Sequence, residues 1–150
     1  MTELKEIDEN NWLQAAQLKV AEEQKFFVAQ SIGILARGYV YREDRARVFA
    51  ISDGNELVGL AMVRDLDEEP ACYDLQQFMI DEKFQGKGYG TEALEKILKV
   101  LGEEGKYSCV EVCVKKEAKA AFHVYEKAGF HDTGYVDEDA PGSCNLMYRF

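Results

Sequence analysis

The sequence predicts a single α/β (α+β) domain, residues 1–150, and three observations carry that reading. Segments of strand period are interleaved with segments of helical period in the order β-α-α-β-β-β-α-β-α-β-β. A glycine-rich stretch, Gln85-Gly86-Lys87-Gly88-Tyr89-Gly90-Thr91, lies between a strand and the clearest amphipathic helix. Finally, 150 residues, 47% of them hydrophobic, suffice for one buried core, and no linker, repeat or low-complexity tract divides them.

Residues 4–7 read as the first strand. Residues 8–11 offer several N-cap side chains for a helix carrying Trp12, Ala15, Ala16 and Val20. A second helical stretch starts near Gln24, with Phe27, Ile34 and Leu35 apolar. Gly33 weakens it and Gly38 offers a C-terminal stop. Residues 47–52 and 56–64 alternate as strand partners, with a hairpin turn at Asp53-Gly54-Asn55. A charged loop at 65–70 precedes a long strand at 71–80. The helix at 91–101 lines Ala93, Leu94, Ile97, Leu98 and Leu101 on one face, with Glu92–Lys96 and Glu95–Lys99 pairs on the other. Residues 109–114 read as a buried strand. Residues 119–128 form a short helix with Ala121, Val124, Tyr125 and Ala128 on one side, stopped by Gly129. Residues 130–135 and 144–150 close the chain as a hairpin around Asp137-Glu138-Asp139.

Composition excludes several classes. The net charge is −10, which argues against nucleic acid, whose binding depends on Lys and Arg. An acidic surface suits a cationic partner. No apolar run approaches the roughly 20 residues that span a bilayer, and residues 1–6 lack the pattern of a signal peptide. A cytoplasmic chain that does not engage membranes is the expectation. Cys72, Cys109, Cys113 and Cys144 contain no C-x-x-C pair and read as buried free thiols. With only His123 and His131 and no ligand spacing, no metal is expected.

The glycine stretch carries the chemistry. Glycines permit close backbone approach, and the start of a helix presents unpaired N–H groups and partial positive charge. Together they make a phosphate cradle. A Walker A loop would need Ser or Thr after Lys87, where Gly88 stands. A Rossmann fingerprint would need G-x-x-G spacing after its first pair, whereas the glycines here are Gly86, Gly88 and Gly90.

The pattern Q-x-x-G-x-G resembles motif A of the GCN5-related N-acetyltransferases. Val124-Tyr125-Glu126-Lys127-Ala128-Gly129-Phe130 resembles that family's second signature and lies at the family's separation from the first. The order of elements is also the family's. The resemblance implies a central mixed twisted sheet of six or seven strands with about four flanking helices, and acetyl-CoA as acetyl donor. It implies cofactor contacts from Phe78, Met79, Ile80, the loop Gln85, Gly86, Lys87, Gly88, Tyr89, Gly90 and Thr91, and from Phe122 and Lys127. One departure is visible: Ala118 stands where the family often has a pantetheine-contacting Asn.

A narrower resemblance is to bacterial spermine/spermidine acetyltransferases. It rests on residues 22–29, EEQKFFVA, and residues 73–81, YDLQQFMID. It implies a small cationic amine as acceptor, with Glu22, Glu23, Asp44, Gln76 and Asp74 as acceptor contacts. Tyr125 occupies the family's acid position, and a phenol is protonated at neutral pH. Gln76 stands near a position where some relatives carry a Glu base, and a carboxamide takes no proton. Asp74, expected on the same face as Gln76, and Glu23 are the alternatives for the base. Two other readings stay open: acetylation of another small amine or a protein amine, and a CoA-binding sensor without turnover. A homodimer through the closing strands is expected, as in many relatives.

Overall fold

In a computed structural model describing residues 1–150, the strands are Thr2–Glu6 (β1), Arg47–Asp53 (β2), Glu56–Leu66 (β3), Cys72–Ile80 (β4), Cys109–Lys115 (β5), His131–Asp132 (β6) and Ser143–Arg149 (β7). The helices are Trp12–Ala16 (α1), Ser31–Val40 (α2), Tyr89–Glu104 (α3) and Lys119–Ala128 (α4). One sheet runs β1-β2-β3-β4-β5-β7-β6. Every pairing is antiparallel except β4 with β5. This is the mixed, helix-flanked sheet expected from the order of segments.

Strand alternation divides the core between two faces. Ala61, Val63, Tyr73, Leu75, Val110 and Val112 pack with Leu94, Ile97 and Leu101 of α3 and Tyr125 of α4. Leu60, Met62 and Met79 point the other way, onto Ala15 of α1 and Ile34 of α2. Burying a Leu or Ile side chain contributes about 1.5–3 kcal/mol. The apolar stripe of α3 therefore fixes that helix, and with it the glycine loop at its start.

Three expectations need correction. The first helix stops at Ala16 rather than reaching Val20. The second begins at Ser31, not near Gln24, and runs past Gly38 to Val40. Gly38 is there for contact, since a Cβ on it would lie 2.8 Å from Val48 Cγ2. The closing hairpin pairs only at His131 and Asp132. Beyond them Gly134 turns with φ 77°, and Tyr135 and Val136 are exposed.

A charge cluster fastens the far end of α3. The Asp65 side chain is only 3% exposed and meets Lys106 at 2.6 Å, Arg45 at 2.8 Å and Arg47 at 3.6 Å. Glu104, in the last turn of α3, meets Arg45 at 2.6 Å and Arg47 at 2.7 Å and accepts from the Tyr73 hydroxyl at 3.0 Å. Burial alone would push the Asp65 carboxyl up. Hydrogen bonds from Arg45 and Lys106 outweigh it and hold the group below its ordinary range. The Arg45 hydrogen bond likewise holds Glu104 down.

A carboxylate depressed in the fold stabilises it above the unfolded-state value, about 4. That stability is lost as pH falls through the lower folded value. Asp65→Asn should cost about 3 kcal/mol in urea titration at pH 7, the low end for a broken buried pair because Arg45 and Lys106 are nearly half exposed and regain water. Its acid destabilisation below about pH 4 should be shallower than the parent's. An unchanged urea midpoint would show that the cluster contributes nothing.

Candidate functional site

The site begins with a split in the sheet. β4 and β5 pair only at Tyr73↔Val110 and Asp74↔Glu111. Both strands continue, β4 to Ile80 and β5 to Lys115, without further pairing. A bulge bends β4 at the same place: Val63 pairs with Leu75 and Met62 with Gln77, so Gln76 has no opposite partner. The alternation slips there. Leu75 packs on the α3–α4 face, whereas Met79 packs on the α1–α2 face and Gln77 Oε1 accepts from the Ala29 amide. A cavity of about 650 Å³ fills the gap, within the range of ligand-binding cavities.

One end of the cavity is the glycine loop. Gly86 and Gly88 have φ of 77° and 87°, where a side chain is strained. A Cβ on either would meet nothing within 4 Å. Glycine is therefore required by backbone conformation and leaves the approach to the backbone open. Gly88 caps α3 without any side-chain bond to the helix. The amides of Tyr89, Gly90 and Thr91 accordingly lack intrahelical partners at the positive end of the helix dipole. The Tyr89 hydroxyl donates to Asp53 Oδ2 at 2.6 Å, tying this turn to the end of β2. Lys115 and Lys119 line the cavity as well. Bare amides and open glycines at one end, with two cations elsewhere on the lining, fit a phosphorylated ligand such as acetyl-CoA.

The side walls carry the titratable groups. Tyr125 is buried between Phe78 and Phe130, with ring centroids at 6.2 and 5.3 Å, and its edge reaches the cavity. Burial pushes its phenol well above the usual range, so it stays protonated at neutral pH. The exposed residues Cys113, Glu117 and His123 line the mouth. Desolvation by its neighbours, then the negative charges of Asp137, Glu111 and Asp74, push the Cys113 thiol up, against an opposing hydrogen bond with Ser143. Gln76 lines the cavity, and its Oε1 is buried without a hydrogen-bond partner.

Among the residues singled out from sequence, the cavity gathers Glu23, Gln76, Phe78, Met79, Ile80, Gln85, Gly86, Gly88, Tyr89, Gly90, Thr91 and Tyr125. Others lie outside its lining. The Lys87 ammonium sits over the Phe84 ring, 5.8 Å from its centroid. Phe122 packs against the core, and Lys127 sits in the last turn of α4. Glu22 pairs with Lys25. Asp44 faces Arg64 at 3.8 Å. Asp74 is held by Arg64 at 2.9 Å. Its expected shared face with Gln76 relied on unbroken alternation, which the bulge interrupts. Of the cysteines, Cys72 and Cys109 are buried as expected, but Cys113 is exposed.

Sequence reasoning missed Val20, Gln24, Phe27 and Val28 as a wall, because that stretch was read as helix. It also missed Lys115 and Lys119. Their signal was available, as basic residues where a strand gives way to a helix start.

The acetyltransferase (GNAT) family model matches residues 4–130, and the chain belongs to that family. The chain is 31% identical over 87 residues to the spermine/spermidine N(1)-acetyltransferase of Bacillus subtilis (strain 168). That match covers 55% of this chain and only 57% of the relative. The fold is shared with spermidine N-acetyltransferase from Vibrio cholerae in complex with CoA and spermine, at TM-score 0.75 and 16% identity over 99% of this chain and 95% of that one. It is shared also with the aminoglycoside acetyltransferase AAC(6')-Ib in complex with coenzyme A, at TM-score 0.81 and 17% identity over 99% of this chain and 95% of that one.

A methyl group at Gly88 would be strained by about 1–2 kcal/mol in its left-handed conformation. Gly88→Ala should therefore weaken CoA binding about tenfold in calorimetry. Undiminished affinity would remove the loop from the binding site.

Proposed function

We propose that this chain transfers an acetyl group from acetyl-CoA to a primary amine, with polyamines such as spermidine or spermine the favoured acceptors. The cavity between the diverging strands, ending on the Gly86–Gly90 amides at the start of α3, is the observation that carries the reading. The Bacillus relative, the net charge of −10 and Glu23 at the cavity support the polyamine choice. The same reading makes the protein a cytoplasmic homodimer.

When bound, acetyl-CoA supplies an activated acetyl thioester. Amides of the loop and of α3 would hold its pyrophosphate, and Lys115 and Lys119 would add positive charge. Main-chain groups of Phe78, Met79 and Ile80, on the strand edge facing the gap, would orient the thioester arm. Tyr125, kept protonated by burial, can donate its hydroxyl proton to the departing sulfur.

The amine must arrive without its proton. For an ammonium of pKa about 10.4, losing it at pH 7 costs about 5 kcal/mol. Glu23 and Glu117 are the carboxylates lining the cavity. Neither Asp74 nor Asp44, both engaged by Arg64, enters this proposal as base or acceptor contact. Gln76 takes no proton, and this favours a second reading, a CoA-binding sensor without turnover.

CoA release from acetyl-CoA should be measured against spermidine, spermine, putrescine, lysine and short peptides. Preference for polyamines, with Glu23→Gln raising their KM more than it lowers kcat, is the expected result. Preference for another amine would discard the polyamine pocket, and binding without release would favour the sensor. Tyr125→Phe should lower kcat about a hundredfold with CoA affinity intact. Unchanged turnover would remove Tyr125 from proton transfer.

A further inference from the structure

We infer that Gln24 is a positioning residue that ties the acceptor-side wall of the cavity to the phosphate loop, so that a ligand in one subsite orders the other. The inference rests on the proposed acetyl-CoA site. Residues 19–29 run along the cavity and contribute Val20, Glu23, Gln24, Phe27 and Val28 to its lining. Their regular structure is a single turn, Glu22–Gln24. Phe26 is 74% exposed and Phe27 37%. Val20, Val28 and Ala29 pack partly against the α1–α2 core near its two ends, while residues 22–27 between them bury little apolar surface, so the middle depends on its polar contacts and opens at lower free energy than the core.

Those contacts fall at three places. At one end, the Lys19 amide donates to Asp81 Oδ2 at 2.9 Å, and the Glu82 amide donates to Lys19 O at 2.8 Å. At the other end, the Ala29 amide donates to Gln77 Oε1 at 2.9 Å. Both ends are thus fixed to β4 or to the residues just after it. The middle is fixed differently. Gln24 Oε1 accepts from Gln85 Nε2 at 2.8 Å and from the Ala21 amide at 3.1 Å. Gln85 Nε2 also donates to Ile80 O at 2.9 Å. One carboxamide oxygen therefore closes the turn and bridges to the first residue of the glycine loop.

The consequence is a coupling between subsites. A phosphate held by the amides after Gly86 restricts Gln85. Through its bond to Gln24, that restriction reaches Glu23 and Phe27, on the wall an amine would meet. Ordering by the first ligand lowers the entropic cost to the second, and the coupling is reciprocal. Gln24 does this without touching the reacting atoms.

Hydrogen–deuterium exchange with and without saturating CoA tests the coupling and requires no acceptor. In the parent, CoA should slow exchange in peptides covering 85–91 and in those covering 19–29, the latter by about fivefold or more. Gln24→Leu, which removes the acceptor oxygen, should abolish the response at 19–29 and keep it at 85–91. Gln24→Glu, which retains an acceptor oxygen, should restore it. An equal response at 19–29 in Gln24→Leu and parent would overturn the coupling while leaving the acetyl-CoA site intact. Absence of protection at 85–91 in the parent would overturn the acetyl-CoA site, and the coupling with it.

Discussion

Two residue pairs decide what this molecule can be. Tyr73 with Val110 and Asp74 with Glu111 are the length of contact between β4 and β5, and the sheet opens where they end. Continued pairing would leave a closed sheet with no gap to receive a ligand. An earlier end to it would separate β1–β4 from the closing strands. The opening leaves backbone groups of both strands without ladder partners, a state tolerated where water or a ligand can reach them. A thioester arm carrying its own amides would meet that requirement. The bulge at Gln76 assists by bending β4 while its two ends stay anchored in opposite cores.

The second fixed point is α3, which is held along its whole length. Its apolar stripe is buried against the sheet. At its C-terminal end, Arg45, Arg47 and Lys106 surround Glu104 and Asp65, and cations there complement the negative end of the helix dipole. At its N-terminal end, Tyr89 is bonded to Asp53. The free amides are thus presented by a helix anchored along its apolar face and at both ends. A rigid donor set needs little reorganisation when an anion arrives, which is what a phosphate site requires.

The order of elements along the chain and the glycine loop were legible because they are written in local signals. Alternation marked β2, β3 and β4, Asp53-Gly54-Asn55 marked their hairpin, and the stripe of α3 has a single reading. Residues 20–30 were not legible. Phe27 fits a helical face by spacing, yet it turns to the cavity, and the segment is set by distant partners, Asp81, Gln77 and Gln85. Gly38 misled for a related reason. A glycine within a helix reads as a stop, but its lack of a side chain serves the packing of Val48. Asp74 pairs with Arg64 outside the cavity lining, and period-two alternation cannot anticipate the bulge two residues on. Charge partners such as Arg64 and Asp74, ten residues apart on neighbouring strands, carry no sequence mark.

Cys113 lines the cavity proposed to receive acetyl-CoA. A thiolate there would compete with the amine for the same carbonyl, since thiolates exchange readily with thioesters. A protonated thiol is a poor nucleophile. Desolvation first, and then the carboxylates of Asp137, Glu111 and Asp74, favour the protonated form against an opposing hydrogen bond with Ser143. Negative charge on this side of the sheet thus has a second effect beside any attraction for cations. It favours the less nucleophilic form of a sulfur atom lining the cavity proposed to receive the thioester.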